Sequence, residues 1–214
     1  MKTVLWDWNG TLLDDVWTGT EAMNVLLKKY GKPLLRDTEE YRSVFCFPVS
    51  AYYEKMGVGG ELFPVTSHEW MDEYNLREGR CTLREGACEA LEMLKKAGCR
   101  QAVLSASKRE NLLKQMGRYN VRPYFEEVLG LNHIYATSKV EIGRAWLAEK
   151  HISPDDCVMI GDTLHDAEVA KTLGCRCILV SGGHQTRQIL LESGCQVAEN
   201  LLDAVQRILN SPNR

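Results

Sequence analysis

The chain has 214 residues, of which 44% are hydrophobic and 26% are charged, and its formal net charge is -3 at pH 7. This length and apolar content are enough to bury a full core, so we expect one large globular domain or a domain with an insertion. The slight negative charge and the lack of a dense basic run exclude nucleic acid and anionic membrane as expected partners. No apolar run approaches membrane-spanning length, and the first predicted strand begins by residue 3, so we expect a cytoplasmic protein.

The first predicted element is a short buried strand that ends on an acidic residue. The apolar run Val4–Trp6 directly precedes the segment Asp7–Thr11, whose sequence is DWNGT. A carboxylate at the carboxyl end of a strand can attack a phosphoryl or acyl centre or bind a hard cation, and Gly10 allows the backbone to turn closely around it. Asparagine followed by glycine is also an ordinary turn signal, so this segment alone favours a structural turn.

Residues 16–79 contain helical patterns and no convincing strand. Helices are predicted over residues 21–30, 49–56 and 65–75. A helical stretch between the first strand and the rest of the chain is typical of an inserted unit. We therefore predict a catalytic core formed by residues 1–15 and 80–214, and a helical cap formed by residues 16–79.

From about residue 80 the chain alternates helical patterns with short apolar runs. Strands are predicted at residues 102–104, 128–129, 157–160 and 177–180, and helices around residues 87–97, 109–117, 139–150 and 166–173. Strands that are apolar throughout and separated by helices indicate a parallel sheet covered on both faces. The predicted fold class is α/β, with a Rossmann-like parallel sheet, helices on both faces and the inserted helical cap.

Polar residues follow four of the predicted strands at the point where each strand ends. These residues include Asp7, Ser105, Asp162 and Ser181. Because the carboxyl ends of parallel strands meet at one edge of a sheet, we expect Asp7 and Asp162 to lie close together. Two adjacent carboxylates repel unless a cation lies between them, and oxygen ligands suit Mg²⁺. Asp166, one turn into the next helix, is expected to support this metal site directly or through a water molecule.

Four motifs in this order resemble those of the haloacid dehalogenase superfamily of phosphohydrolases, in particular its phosphoglycolate-phosphatase-like branch with a helical cap. The motifs are Asp7–Thr11 for DxDGT, Ser105 for the serine or threonine that closes a strand, Lys139 in Thr137-Ser138-Lys139, and Gly161–Asp166 for GDxxxD. The resemblance extends over nearly the whole chain.

The resemblance implies a Mg²⁺-dependent phosphatase that acts on a small phosphorylated metabolite. Asp7 would take the phosphoryl group as the nucleophile, and water would then cleave the aspartyl phosphate. Ser105 and Ala106 would bind the phosphoryl oxygens, and Lys139 would neutralise them and hold Asp7. The implied Mg²⁺ ligands are the carboxylate of Asp7, the backbone carbonyl of Asn9, and Asp162.

Asn9 departs from the first motif. The family's phosphatases have a second aspartate at this position, which protonates the leaving alcohol and later activates water. The side-chain amide of Asn9 cannot exchange protons in this way. The backbone carbonyl of Asn9 stays available to a metal. General acid–base assistance increases a reaction rate on the order of 10²–10⁴-fold. The candidate catalytic residues are Asp7 and Asn9. Because Asn9 cannot give this assistance, we expect slow turnover or a restriction to substrates with good leaving groups. A substitute proton carrier such as His165, or an engineered change that traps a complex, is an alternative.

Arg42 lies in the predicted cap, in a stretch that resembles the part of the family's cap that faces the active site. It is a candidate for a bidentate contact with a substrate carboxylate or a second phosphate, and a surface position is the alternative. Two other functions stay open: a non-catalytic phosphometabolite-binding or sensor protein, and a haloacid dehalogenase, which would need neither Mg²⁺ nor the acidic pair. We expect a monomer or a homodimer.

Overall fold

The computed structural model describes residues 1–132, 135 and 139–211 of the chain. Thr137 and Ser138 of the third motif lie outside the described residues. The strands are β1 (Thr3–Trp6), β2 (Leu13–Asp14), β3 (Thr82–Leu83), β4 (Arg100–Lys108), β5 (Glu127–Leu131), β6 (Cys157–Gly161), β7 (Arg176–Val180) and β8 (Gln196–Ala198). The helices are α1 (Val16–Lys29), α2 (Thr38–Val44), α3 (Val49–Lys55), α4 (Phe63–Arg77), α5 (Ala87–Lys96), α6 (Arg109–Tyr119), α7 (Val140–Glu149), α8 (Leu164–Leu173), α9 (Arg187–Leu191) and α10 (Leu201–Leu209).

Six of the strands form one parallel sheet in the order β5-β4-β1-β6-β7-β8. β1 lies near the middle of the sheet, where Trp6 is in register with Val103 of β4 and Ile160 of β6. All four residues of β1 are buried, because a central parallel strand is covered on both faces. The α/β class predicted from the sequence is confirmed.

Helices cover both faces of this sheet. Val4 and Trp6 belong to one hydrophobic cluster with residues of α5, α6 and α10, and Leu5 belongs to a second cluster with residues of α7 and α8. This division follows from the two-residue period of a strand, which sends successive side chains to opposite faces. The indole N–H of Trp6 donates to Oε1 of Gln101 over 2.9 Å, so burial of the indole leaves no polar group unpaired.

The helices α1 to α4 form an insertion between two short strands. The chain leaves the sheet through β2 and returns through β3, and these strands pair antiparallel with Leu13 opposite Leu83. The inserted helices pack around a cluster of their own, which includes Met23, Leu27 and Tyr41. Residues 16–79 are all described and contain no strand. The division of the chain into a core and a cap domain stays a prediction.

Several elements differ from the sequence-based predictions. α1 begins at Val16, before the predicted start at residue 21, although the sequence of its first turns, Thr18–Thr20, has low helix propensity. Tertiary packing outweighs this propensity, since Gly19 lies against the ring of Tyr41. α2, β8 and α10 were not predicted either. Among the described residues, no helix combines the length and the apolar character needed to cross a bilayer.

Candidate active site

Three aspartates meet at the carboxyl ends of β1 and β6. One carboxylate oxygen each of Asp7, Asp162 and Asp166 lies within 4.8 Å of the others, and all three residues are buried. The turn after β1 approaches this cluster closely at Gly10, which has a φ of +71° and whose ideal Cβ would lie 2.3 Å from Oδ2 of Asp162. Only glycine fits there, so the turn and the acidic cluster depend on each other.

Lys139 is the buried cation of this cluster. Its Nζ donates to Oδ1 of Asp7 over 2.5 Å and to Oδ1 of Asp166 over 2.7 Å. Burial opposes the charge of Lys139, but Asp166 and Asp7 outweigh burial and hold the pKa of Lys139 above its usual value. Burial likewise opposes ionisation of Asp166, and Lys139 outweighs it and holds the pKa of Asp166 below its usual value. Lys139 therefore stays charged and connects Asp7 with the start of α8.

The cluster has more negative charge than Lys139 can balance. Burial and the charges of Asp166 and Asp162 raise the pKa of Asp7 to about 8, although Lys139 opposes this rise. Burial also raises the pKa of Asp162. In the part of the chain that is described, Lys139 is the one lysine or arginine paired with these carboxylates. A divalent cation with oxygen ligands would remove the excess charge, so the donor set fits a hard cation such as Mg²⁺.

Asp166 uses both of its carboxylate oxygens within the protein. Oδ1 accepts from Lys139, and Oδ2 accepts from the backbone N–H groups of Asp162 (3.1 Å) and Thr163 (3.0 Å) and from the Thr163 hydroxyl (2.8 Å). With Thr163 it forms the capping box at the start of α8. This geometry suits an anchor for Lys139 better than a direct metal ligand.

The amide of Asn9 is fixed at both of its ends. Nδ2 donates to Oδ2 of Asp15 over 2.7 Å and to the hydroxyl of Tyr74 over 3.1 Å, and Oδ1 accepts from the hydroxyl of Ser107 over 2.7 Å. Asp15 is buried and also accepts from the backbone N–H of Gly10 and from the Tyr74 hydroxyl, each over 2.8 Å. A carboxylate only accepts hydrogen bonds, so this environment matches the NH₂ group of an asparagine.

His184 connects Asp15 with the insertion. Its Nε2 lies 3.2 Å from Oδ1 of Asp15, and its Nδ1 lies 2.9 Å from the hydroxyl of Tyr41 in α2. Burial opposes protonation of His184, but Asp15 outweighs burial and raises the pKa of His184 to about 9. The protonated ring donates to both neighbours, so Asn9, Asp15, His184 and Tyr41 form one network from the sheet edge to the insertion.

A cavity of about 150 Å³ extends from the aspartates to the inserted helices. On the sheet side it is lined by residues that include Asp7, Asn9, Ser105, Ala106 and Lys139. On the opposite side the wall is mainly aromatic and includes Phe45, Phe47, Tyr52, Tyr53, Phe63 and Trp70. The structure thus brings the predicted nucleophile Asp7 together with Ser105, Ala106 and Lys139 at one cavity.

Arg42 is the predicted site residue that the structure does not bring to this cavity. Its Nε donates to the carbonyl of Gly183 over 2.9 Å, its second terminal nitrogen donates to the carbonyl of Gly182 over 3.1 Å, and it pairs with Glu39. Arg42 does not occur among the described residues that line the cavity. The guanidinium of Arg42 donates to the backbone carbonyls of Gly182 and Gly183, so Arg42 connects α2 with the loop after β7.

Sequence reasoning missed two charged residues of the site, Asp15 and His184. In the sequence, Asp15 marks only the end of the first predicted core segment. His184 follows two glycines after a strand end, the same pattern that pointed to Asp7, so a usable signal was present in Ser181–Gly183. Its importance depends on contacts with Asp15 and Tyr41, which a linear pattern does not reveal.

The fold and this site define an α/β enzyme with an acidic, cation-compatible centre beneath a helical insertion. A family model described as haloacid dehalogenase-like hydrolase matches residues 4–180. The chain belongs to this family of hydrolases, as its four motifs indicated. The match includes the acidic cluster, Lys139 and Ser105, and ends before His184.

Relatives and solved structures agree with this assignment. Phosphoglycolate phosphatase 1 of Pseudomonas aeruginosa is 22% identical over 211 residues, which cover 94% of this chain and 78% of that protein. The protein CbbY of Cereibacter sphaeroides is 26% identical over 201 residues, which cover 87% of this chain and 86% of that protein. A solved haloacid dehalogenase-like protein from Streptococcus pneumoniae has a TM-score of 0.84 at 16% identity and covers 97% of this chain and 98% of its own. The prediction of a hydrolase with this family's fold is confirmed.

Proposed function

We propose that the chain is a Mg²⁺-dependent phosphatase that hydrolyses a small phosphate ester through an aspartyl phosphate on Asp7. The observation that carries this proposal is the position of Asp7, which lies at the floor of the cavity with Oδ1 held by Lys139 over 2.5 Å. Several relatives that match the chain are named phosphoglycolate phosphatase, which supports phosphate-ester chemistry.

Asp7 attacks the phosphorus of the bound ester. A bond forms between a carboxylate oxygen of Asp7 and phosphorus, and the bond from phosphorus to the leaving oxygen breaks, with its electron pair staying on that oxygen. The leaving oxygen takes a proton from solvent. Water then attacks the phosphorus, the bond from phosphorus to Asp7 breaks with its electron pair staying on the carboxylate, and the proton that the attacking water loses passes to solvent. Lys139 fixes the direction of the Asp7 carboxylate and neutralises part of the phosphoryl charge.

Asp7, Asp162 and the backbone carbonyl of Asn9 would hold the cation in this proposal. When bound, Mg²⁺ supplies charge neutralisation for the phosphoryl oxygens and favours the ionised form of the nucleophile. We assign Asp166 to the positioning of Lys139, because its oxygens are already bonded within the protein.

Ser105 and Ala106 line the phosphoryl end of the cavity. Oγ of Ser105 accepts from the backbone N–H of Ser107 over 3.1 Å, which leaves its hydroxyl hydrogen available to a phosphoryl oxygen. The substrate end then lies toward the inserted helices. A cytoplasmic location and a monomeric or homodimeric state are further predictions that the sequence supports.

The test is phosphate release from acetyl phosphate and a panel of small phosphate esters, with Mg²⁺ and with a chelator. We expect release that requires Mg²⁺ and disappears in Asp7→Asn. Asp14→Asn is the matched control, since Asp14 is a nearby exposed aspartate. Release that persists in Asp7→Asn, or that does not depend on Mg²⁺, would contradict the proposal.

The fixed amide of Asn9 favours one second candidate, a phosphometabolite-binding protein without turnover. The same assay separates the two functions. A binding protein would be stabilised against heat by Mg²⁺ together with a phosphate analogue and would release no phosphate from any member of the panel.

A further inference from the structure

We propose that the cavity selects an aryl phosphate, that is, a phosphate monoester of a phenol, over aliphatic esters with a charged tail such as phosphoglycolate. This inference rests on the proposed phosphatase function and names the substrate class of the same site. Three independent features carry it: the wall of the cavity, the positions of the nearby cations, and the chemistry available at Asn9.

The wall opposite the aspartates is aromatic and uncharged. Phe45 packs edge-to-face on Phe47 and Tyr52, with ring centroids 5.6 and 5.2 Å apart, and Tyr53 packs edge-to-face on Phe63 at 5.1 Å. Residues 16–79, which form this wall, are all described, and no lysine, arginine, aspartate or glutamate among them lines the cavity. Aromatic rings of a ligand bind such a wall through edge and face contacts, whereas a carboxylate would lose its hydration there without a partner.

Three residues that line the cavity have a buried polar atom. The hydroxyl of Tyr52, Nε1 of Trp70 and Nε2 of His165 are buried and have no hydrogen-bond partner among the described residues. All three residues line the cavity, and Tyr52 is 2% exposed. Because these atoms are buried beneath the surface of the lining, a ligand in the cavity meets the aromatic rings and not these polar atoms.

The nearby cations are committed elsewhere. Arg42 donates to the carbonyls of Gly182 and Gly183 and is not part of the described lining. Among the described lining residues, the lysines are Lys139, which two aspartates hold, and Lys108, which pairs with Glu110 over 2.7 Å on the sheet side. The protonated ring of His184 also lines the cavity, but its two nitrogens are bonded to Asp15 and Tyr41. Among the described lining residues, a second anionic group on the substrate therefore meets no cationic group without a partner.

The chemistry at Asn9 points to the same class. Both ends of its amide are hydrogen-bonded within the protein, and an amide does not donate a proton to a leaving oxygen. A phenol, with a pKa near that of tyrosine at about 10, leaves as its anion far more readily than an aliphatic alcohol does. When Asp7 attacks, the electron pair of the breaking bond stays on the phenolate oxygen, which takes a proton from water after release.

Binding of two inert phosphonates tests the selectivity of the cavity apart from turnover. We would measure the dissociation constants of phenylphosphonate and phosphonoacetate by calorimetry with Mg²⁺, in the wild type and in Trp70→Leu and Phe47→Leu. We expect phenylphosphonate to bind the wild type at least tenfold more tightly, and each substitution to reduce this ratio by about 2- to 10-fold, which is the equivalent of one aromatic contact.

Leu76→Ala is the matched control, because Leu76 lies in the same helix as Trp70 and is 78% exposed. The ratio of the two dissociation constants should not change in this variant. Equal or tighter binding of phosphonoacetate by the wild type, or an unchanged ratio in Trp70→Leu and Phe47→Leu, would overturn the proposal.

Phosphate release from acetyl phosphate and from phenyl phosphate, measured on the same preparations, distinguishes the two levels of inference. Mg²⁺-dependent release without a preference for phenylphosphonate means that the aryl proposal fails and the phosphatase stands. A clear preference for phenylphosphonate without any release upholds the aromatic site and overturns the phosphatase.

Discussion

Asn9 donates a hydrogen bond to Asp15, with 2.7 Å between Nδ2 and Oδ2. Burial opposes ionisation of Asp15, but His184 outweighs burial and holds the pKa of Asp15 below its usual value. The amide at position 9 therefore faces a buried, ionised carboxylate. The surroundings of Asn9 fit an asparagine at the position where the resemblance implies a second aspartate.

Replacement of Asn9 by aspartate is expected to destabilise the fold. Asn9→Asp would place a carboxylate against Asp15 and remove a hydrogen bond to a charged group, which contributes about 1.5–3 kcal/mol. Asn9→Ala removes the same hydrogen bond without adding a charge, so its loss should be smaller. Urea denaturation at neutral pH with a chelator measures both free energies of unfolding. A variant Asn9→Asp as stable as the wild type would contradict this description of the network.

The same substitution should change how the rate depends on the leaving group. In the wild type, we expect kcat/KM for a series of substituted phenyl phosphates to rise steeply with the acidity of the phenol. Asn9→Asp introduces a group that can donate a proton, which contributes on the order of 10²–10⁴-fold, mainly for poor leaving groups. The dependence should therefore become shallower in the variant. An equal slope in both proteins would mean that position 9 takes no part in departure of the leaving group.

The sheet, its covering helices and the strand-end aspartates could be predicted from the sequence. Continuous apolar runs such as Val4–Trp6 are typical of central parallel strands, and the topology of such a sheet then brings Asp7 and Asp162 to one edge. The structure adds the contact of Lys139 with Asp166, so that one Nζ donates to both Asp7 and Asp166.

The rest of the site depends on contacts that leave no periodic signal. His184, which follows the last of the predicted strands, bridges Tyr41 of α2 and Asp15, the residue just before α1. Arg42 was predicted to contact substrate, yet two backbone carbonyls that a sequence does not display bind its guanidinium. The two-residue strands β2 and β3 are too short to produce an alternating pattern.

Arg42→Met tests the position of this side chain. Because Arg42 joins α2 to the loop at Gly182 and Gly183, we expect its loss to change KM for phenyl phosphate and phosphoglycolate by the same factor. A direct contact between Arg42 and a substrate carboxylate would instead weaken phosphoglycolate alone. Steady-state kinetics on both esters decide between these outcomes.

Glu78 connects the end of the insertion with α6 and gives a pH-dependent prediction. Its carboxylate accepts from Lys114 over 2.7 Å and from Gln115 over 3.0 Å. Burial opposes ionisation, but these hydrogen bonds outweigh it and hold the pKa of Glu78 below its usual value. The unfolded chain therefore binds a proton at Glu78 more readily than the folded protein does.

The stability that Glu78 contributes should be complete above the unfolded pKa of about 4.3 and should be lost as the pH falls through the lower folded value. We expect Glu78→Gln to lower the free energy of unfolding at pH 7 by about 1 kcal/mol, and the difference from the wild type to shrink at acid pH. Denaturation curves across this range provide the measurement. A difference that is constant with pH would show that the Glu78 charge contributes nothing.

The most direct test of the central claim is to locate the phosphoryl group on the enzyme during turnover. The protein would be mixed with phenyl phosphate and Mg²⁺, quenched in acid within milliseconds, digested and mapped by mass spectrometry. The account predicts a transient phosphoryl group on Asp7 that is absent from Asp7→Asn. Phosphate release by Asp7→Asn, or a phosphoryl group on another residue of the wild type, would contradict it.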